Sequence, residues 1–94
     1  MNAELDVVVL RCADLDATLA FYEGLGLGFA EEQHGRGPRH FSTQLGAAVL
    51  ELYPATERFP VDQATVGIVT DGPVPGGPLT DPDGRQVMVR GREA

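Results

Sequence analysis

The chain has 94 residues, a length that fits one small domain with a modest core. Hydrophobic residues make up 43% of it, which is typical of a folded globular protein and argues against disorder. The formal net charge is −7, all cations are arginine, and no basic patch with interleaved aromatic residues occurs, so we expect no nucleic-acid partner. The longest apolar run near the N-terminus spans residues 7–10, too short for a signal peptide or membrane span. We therefore expect a cytoplasmic protein with no membrane partner.

The beginning of the chain predicts a strand, a helix and a reversal. Residues 5–10 contain three consecutive valines, a β-branched run typical of a strand covered on both faces. Asp14 lies where the N-cap of the helix belongs, and Gly26 and Gly28 follow where the helix must end. One face of that helix carries the residues expected to pack into the core: Leu15, Thr18, Leu19, Phe21, Tyr22 and Leu25.

The next segments predict three antiparallel strands. They are residues 28–33, 39–45 and 47–53, separated by turns at HGRGP and at Gly46. The last of them, AAVLELY, has the strongest strand pattern and ends at Pro54.

The remainder of the chain predicts fewer elements. A linker over residues 54–62 precedes a strand at 64–70. The segment that follows this strand, DGPVPGGP, is too rich in glycine and proline to form a helix or an inner strand. The sequence TDPDG predicts a tight turn, and residues 85–90 form the closing strand.

Three segments resemble the vicinal oxygen chelate superfamily, which comprises glyoxalase I, bleomycin-resistance proteins and extradiol dioxygenases. They are VLRCADLDATLAFYEGLGL, GAAVLELYP and TDPDGRQVMV. The resemblance implies an α+β fold of two βαβββ modules whose curved sheets enclose a cleft. Residues 4–53 match a complete first module, and residues 63–92 a reduced second module without its helix, within one domain 1–94. Because a sheet without its helix leaves a face uncovered, we expect a homodimer, formed by edge pairing or segment exchange.

The resemblance also implies where the family holds a divalent metal. Its ligands come from the first and last strands of each module, which places them at Val7, Glu51, Ala64 and Met88 of this chain. Only Glu51 carries a ligand for such a metal, and one carboxylate is not a divalent metal site. We therefore expect no metal and no other cofactor.

A pair of residues on adjacent strands is the main candidate for chemistry. If residues paired across the Gly46 turn have numbers that sum to 91, His40 faces Glu51, while Phe41, Thr43, Leu50 and Leu52 share the apolar face. The pair is either a general acid–base or metal-binding pair, or a cross-strand ion pair on a partly solvated sheet. His34, before the HGRGP turn, would complete a three-ligand site with them if the loop brings it close.

The leading functional hypothesis is a metal-free small-molecule-binding protein resembling the bleomycin-resistance branch, which sequesters antibiotics. Its expected ligand contacts are Val7, Val9, Arg11, His40, Glu51, Tyr53 and Met88, with Arg11 either receiving a ligand carboxylate or pairing with a nearby acid. The alternative is a lyase or dioxygenase of the glyoxalase type, with Zn, Fe, Ni or Mn near Glu51 and His40 as catalytic residues. A third hypothesis is a reduced domain whose role is assembly with a protein partner.

Overall fold

The computed structural model describes residues 2–92 and contains two small sheets and one short helix. The elements are β1 (Val7–Cys12), α1 (Leu15–Glu23), β2 (Ala30–Glu32), β3 (His40–Leu45), β4 (Ala48–Pro54), β5 (Val66–Thr70), β6 (Leu79–Thr80) and β7 (Gln86–Gly91). Met1, Glu93 and Ala94, at the ends of the predicted 1–94 domain, lie outside the described residues. The α+β fold is confirmed, while the division into modules at 4–53 and 63–92 stays a prediction.

The first sheet has the strand order β1-β4-β3-β2. β1 runs parallel to β4, and β2, β3 and β4 form the predicted antiparallel meander. β1 starts and ends two residues later than predicted, because its pairing with β4 continues until Arg11 lies opposite Tyr53 and Cys12 opposite Pro54. The partner strand, more than the valine run, sets where β1 begins and ends.

The register between β3 and β4 differs from the predicted one by two residues. Leu45 pairs with Ala48, so the turn consists of Gly46 and Ala47, and Gly46 adopts a φ of 61°, which glycine tolerates without strain. Glu51 therefore lies opposite Ser42, and the predicted pairing of Glu51 with His40 is wrong. Because the error is an even number of residues, the side chains stay on the predicted faces.

The helix covers one face of the first sheet. The Asp14 carboxylate accepts a hydrogen bond from the Ala17 N–H (3.0 Å), which confirms the predicted N-cap. Thr18 and Tyr22 are fully buried within the predicted stripe. The buried apolar core consists of Leu10, Cys12, Tyr22, Phe41, Leu50, Leu52 and Val87.

The second sheet has the order β5-β7-β6, with β5 parallel to β7 and β6 antiparallel to it. The described residues after β4 form strands and loops only, as the sequence predicts. β6 was not predicted, because two residues are too short for any periodic pattern. No helix within residues 2–92 is long and apolar enough to cross a membrane.

Arg85, the residue after the DPDG turn, connects the two halves of the chain. Its buried guanidinium donates hydrogen bonds to the carboxylates of Asp62, Asp81 and Asp83 at 2.8–3.1 Å, and to the Arg11 carbonyl at the end of β1. The Tyr22 hydroxyl of α1 donates a hydrogen bond to the Asp81 carboxylate (2.8 Å). The DPDGR segment therefore holds the turn before β7 against β1, α1 and the linker.

Candidate functional site

One face of the first sheet is left uncovered by the helix, and we call it the open face. β1 and β4 lie side by side so that Val7 pairs with Val49, Val9 with Glu51 and Arg11 with Tyr53. Register-paired side chains point to the same side of a sheet, so these six residues share the open face. Val7 is 45% exposed and Val9 37%. His40 lies two residues from Ser42, the partner of Glu51 on β3, so its side chain is on the same face. The structure thus brings together on one face six of the predicted ligand-contacting residues: Val7, Val9, Arg11, His40, Glu51 and Tyr53.

At one end of the open face four side chains form a stack. The rings of Tyr53 and His40 are parallel within 8°, with centroids 4.1 Å apart. The guanidinium carbon of Arg11 lies 4.8 Å from the Tyr53 ring centroid and 4.4 Å from that of Phe59. Partial burial and the nearby Glu51 carboxylate raise the pKa of the Tyr53 hydroxyl. Arg11 therefore uses its side chain in cation–π contacts, while its backbone N–H donates to Asp62 (2.6 Å).

His40 is the buried polar residue of this region and is only 1% exposed. Its Nδ1 lies 3.1 Å from the Pro38 carbonyl oxygen. Its Nε2 lies 3.4 Å from Oε1 of Glu32 and 3.9 Å from Oε2 of Glu51. Among the residues that the structure describes, Nε2 of His40 has no hydrogen-bond partner. A ring nitrogen that is buried and unpartnered is uncommon in folded proteins.

Glu32 is a member of this cluster that was not predicted from the sequence. It pairs with His40 as the last residue pair of the β2–β3 hairpin. Its strand was predicted, and the sequence shows acidic residues in that strand and two histidines after it. The sequence did not give the register between β2 and β3. That register depends on the length of the loop, and the HGRGP motif does not show that the loop covers residues 33–39.

The same loop brings His34 to the cluster. The Gly37 N–H donates to the His34 carbonyl (2.9 Å), and a Cβ at Gly37 would lie 3.0 Å from that oxygen, so a larger residue there would push the two sides of the turn apart slightly. The His34 ring centroid lies 5.1 Å from that of His40. One ligand atom each from Glu32, His34 and His40 lies within 4.8 Å of the other two.

A groove of about 710 Å³ runs along the open face beside this cluster. Residues lining it include Ala30, Glu32, His34, Ser42, Val49 and Glu51. Met88, which was predicted to contact the same ligand, lies on β7 in the second sheet and lines a different cavity of about 370 Å³ with Gly67 and Val69. The two cavities share no lining residue.

The four metal-ligand positions implied by the family do not form a site in this structure. Val7 and Ala64 have hydrocarbon side chains, which cannot bind a metal. The thioether of Met88 binds soft ions and is a poor ligand for the divalent metals of this family. The neighbour of Glu51 on β1 is Val9. The donor set at these positions does not fit a divalent metal.

Comparison with protein families agrees with this fold. A model of the glyoxalase/bleomycin resistance protein/dioxygenase superfamily matches residues 4–71, more than half of the chain. The chain therefore belongs to this superfamily, which confirms the resemblance found in the sequence. A search of curated proteins found no match.

Solved structures with the same fold come from proteins of different kinds. TnmS3, an antibiotic binding protein from Streptomyces sp. CB03234, superimposes with a TM-score of 0.69 at 16% identity, with 98% of each chain covered. An integron cassette protein from the mobile metagenome of V. cholerae gives 0.64 at 22% identity, with 95% of this chain and 94% of that one covered. Lactoylglutathione lyase from Agrobacterium tumefaciens gives 0.58 at 20% identity, with 95% and 93% covered. At these identities the likeness establishes the fold alone.

Proposed function

We propose that this protein binds a small organic molecule directly on the open face, without a metal at the four positions that the family uses. The observation that carries the proposal is the groove of about 710 Å³ on the open face, lined by Val49 and Glu51, which pair with Val7 and Val9 of β1. This volume lies within the usual range of roughly 300–1,000 Å³ for ligand sites. The antibiotic-binding protein TnmS3, which shares the fold over 98% of both chains, supports the same class of function.

The side chains of the groove favour a ligand with a cationic group and an apolar part. Glu32 and Glu51 contribute two carboxylates to its lining, which contains no arginine or lysine. Val49 lines it as well, and the Tyr53 ring lies nearby on the open face. A carboxylate that is half-buried attracts an amine more strongly than one in open water, because screening is weaker.

A screen of amine-bearing aromatic compounds by thermal shift, followed by calorimetry, tests this proposal. Glu51→Gln should weaken binding of a cationic hit about tenfold, since it removes one charge-assisted contact. Glu31→Gln is the matched control, because Glu31 lies next to Glu32 on the opposite face of β2 and pairs with Arg39 (3.5 Å). The absence of any hit, or equal losses in both variants, would overturn the proposal.

A second candidate function is a lyase or dioxygenase of the glyoxalase type with a non-standard metal centre. The observation that favours it is the group of Glu51, His40 and Glu32 around an unpartnered imidazole nitrogen. Turnover in glyoxalase or extradiol dioxygenase assays after loading with Zn, Fe, Ni or Mn, lost in Glu51→Ala, would establish it. Binding of a compound without turnover under any loading would exclude it.

We also propose that the protein is a homodimer in the cytoplasm. In support, β5 and β7 expose Val69 (38%) and Met88 (49%), and the described chain places no helix over them. A second copy, joined by edge pairing or segment exchange, would cover this apolar surface. Fractionation of the cells that produce the protein tests its location.

A further inference from the structure

We propose that Glu32, His34 and His40 form a binding site for a divalent transition-metal ion, with zinc as the best match. None of these residues occupies one of the family's four ligand positions, so the site is separate from the one that the family uses. The inference does not depend on the groove binding an organic ligand, because the metal alone tests it.

The contacts of His40 aim its Nε2 into the cluster. A carbonyl oxygen only accepts hydrogen bonds, so the 3.1 Å contact with Pro38 places a proton on Nδ1. In the neutral tautomer that makes this contact, Nε2 carries a lone pair that points toward the carboxylates of Glu32 and Glu51. This buried arrangement is unfavourable unless a proton or a metal ion lies between Nε2 and the carboxylates. A backbone carbonyl on the other ring nitrogen is also how metal-binding histidines are oriented.

The distances fit coordination better than hydrogen bonding. The 3.4 Å between Nε2 of His40 and Oε1 of Glu32 exceeds the usual N–H···O range of about 2.7–3.2 Å. Two ligand atoms bound at about 2.0–2.2 Å to a tetrahedral zinc ion lie roughly 3.4 Å apart. His34 has to move inward by up to about 1.4 Å, from the 4.8 Å limit of the cluster to roughly 3.4 Å, and its exposed place in the loop allows this.

The donor types select the metal. Two imidazoles and one carboxylate suit zinc, iron, nickel and manganese, whereas calcium and magnesium prefer oxygen ligands alone. All three ligands come from one hairpin, residues 32–40, so their spacing is set locally. Glu51, 3.9 Å from Nε2 of His40, lies close enough to receive a hydrogen bond from a metal-bound water.

Titration of untagged, chelator-treated protein with Zn²⁺ by calorimetry tests the site. We expect one ion per chain, and a rise in Tm of roughly 10 °C when zinc is at about 100 times its Kd. Glu32→Gln and His34→Gln should each weaken binding at least tenfold, because even loss of an outer partner costs about 10–100-fold. Both residues lie near the surface, so the fold should survive, and far-UV circular dichroism checks this. Mg²⁺ and Ca²⁺ should not compete.

The matched control is Glu31→Gln, which removes a carboxylate from the opposite face of the same strand and should leave zinc affinity unchanged. The proposal would be overturned if the original protein bound no zinc at a concentration of about 100 µM, because structural zinc sites bind far more tightly than that. Binding that Glu32→Gln and His34→Gln do not affect, or equal competition by Ca²⁺, would also overturn it. A failure here leaves the organic-ligand screen unaffected, since that screen is done without added metal.

Discussion

Arg85 joins the two halves of the chain through hydrogen bonds to three carboxylates and a backbone carbonyl. Burial alone would raise the pKa of the Asp62 carboxyl, but hydrogen bonds from Arg85 and from the backbone N–H groups of Arg11 and Ala64 lower it, and the net pKa lies well below the usual range. The pKa of Asp81 is lowered in the same way, against burial, by Arg85 and Tyr22. Both carboxylates are therefore ionised partners of the buried guanidinium at neutral pH.

Replacing Arg85 with methionine should lower the free energy of unfolding by about 3–5 kcal/mol, because buried Asp81 and Asp83 lose their positive partner. Urea unfolding at pH 7 measures this. The control is Arg92→Met, whose pairing with Asp71 is exposed, and whose cost should stay below about 1 kcal/mol. Equal effects of the two changes would show that the Arg85 network does not hold the halves together.

Asp62→Asn should destabilise the protein in a pH-dependent way. The folded-state pKa of Asp62 is depressed, so its ionised form contributes stability above the unfolded value of about 3.9, and that contribution is lost as the pH falls toward the lower folded value. The difference in unfolding free energy between the original protein and the variant should be about 1.5–3 kcal/mol at pH 7 and should shrink steadily below about pH 4. A difference that is constant with pH contradicts the role of the charge.

Helix α1 has nine residues, too few to be stable by itself, so its cap and its packing both matter. Asp14→Ala should cost about 1 kcal/mol in the free energy of unfolding, since the Ala17 N–H loses its acceptor. Asp14→Ser should restore most of it, because serine also accepts at the N-cap position. Thermal unfolding of the two variants measures the difference, and an identical loss in both would exclude capping as the cause.

The hairpin of β2 and β3 shows how an element assembles a site. Glu32 and His40 are eight residues apart in the chain but are direct partners in the sheet. His34 lies between them in the loop, within contact of the His40 ring. A change in loop length by one residue would turn one strand over and separate these side chains, so the cluster depends on register more than on composition.

At the scale of the molecule, the uncovered face of the second sheet predicts self-association. Light scattering at micromolar concentration should give the mass of two chains, because Val69 and Met88 expose apolar surface that a second copy would bury. Met88→Lys should shift the protein toward monomer, whereas Leu5→Lys, at an exposed position before β1, should have little effect. A monodisperse monomer of the original protein would overturn the dimer, and a partner of another sequence would then be the remaining hypothesis.

Local patterns were enough to determine much of this protein. The valine run, the Asp14 cap and the strand around Glu51 specified their elements, since short-range sterics, capping and alternation act within a few residues. The even register error left the predicted faces of β3 and β4 correct, but the valine run, predicted to be covered on both faces, exposes Val7 and Val9 on one of them. The family followed from the same segments, because they carry the superfamily's features in order.

Only the tertiary structure decided which residues meet. It placed Glu32 beside His40 and separated Met88 from the groove. It also brought the DPDGR segment into hydrogen-bond contact with β1 and α1. Each of these depends on strand register or on contacts between residues far apart in the chain, such as Arg85 with Arg11. Register is set by loop lengths and by the summed packing of a whole sheet, and no local pattern in the sequence reports that sum.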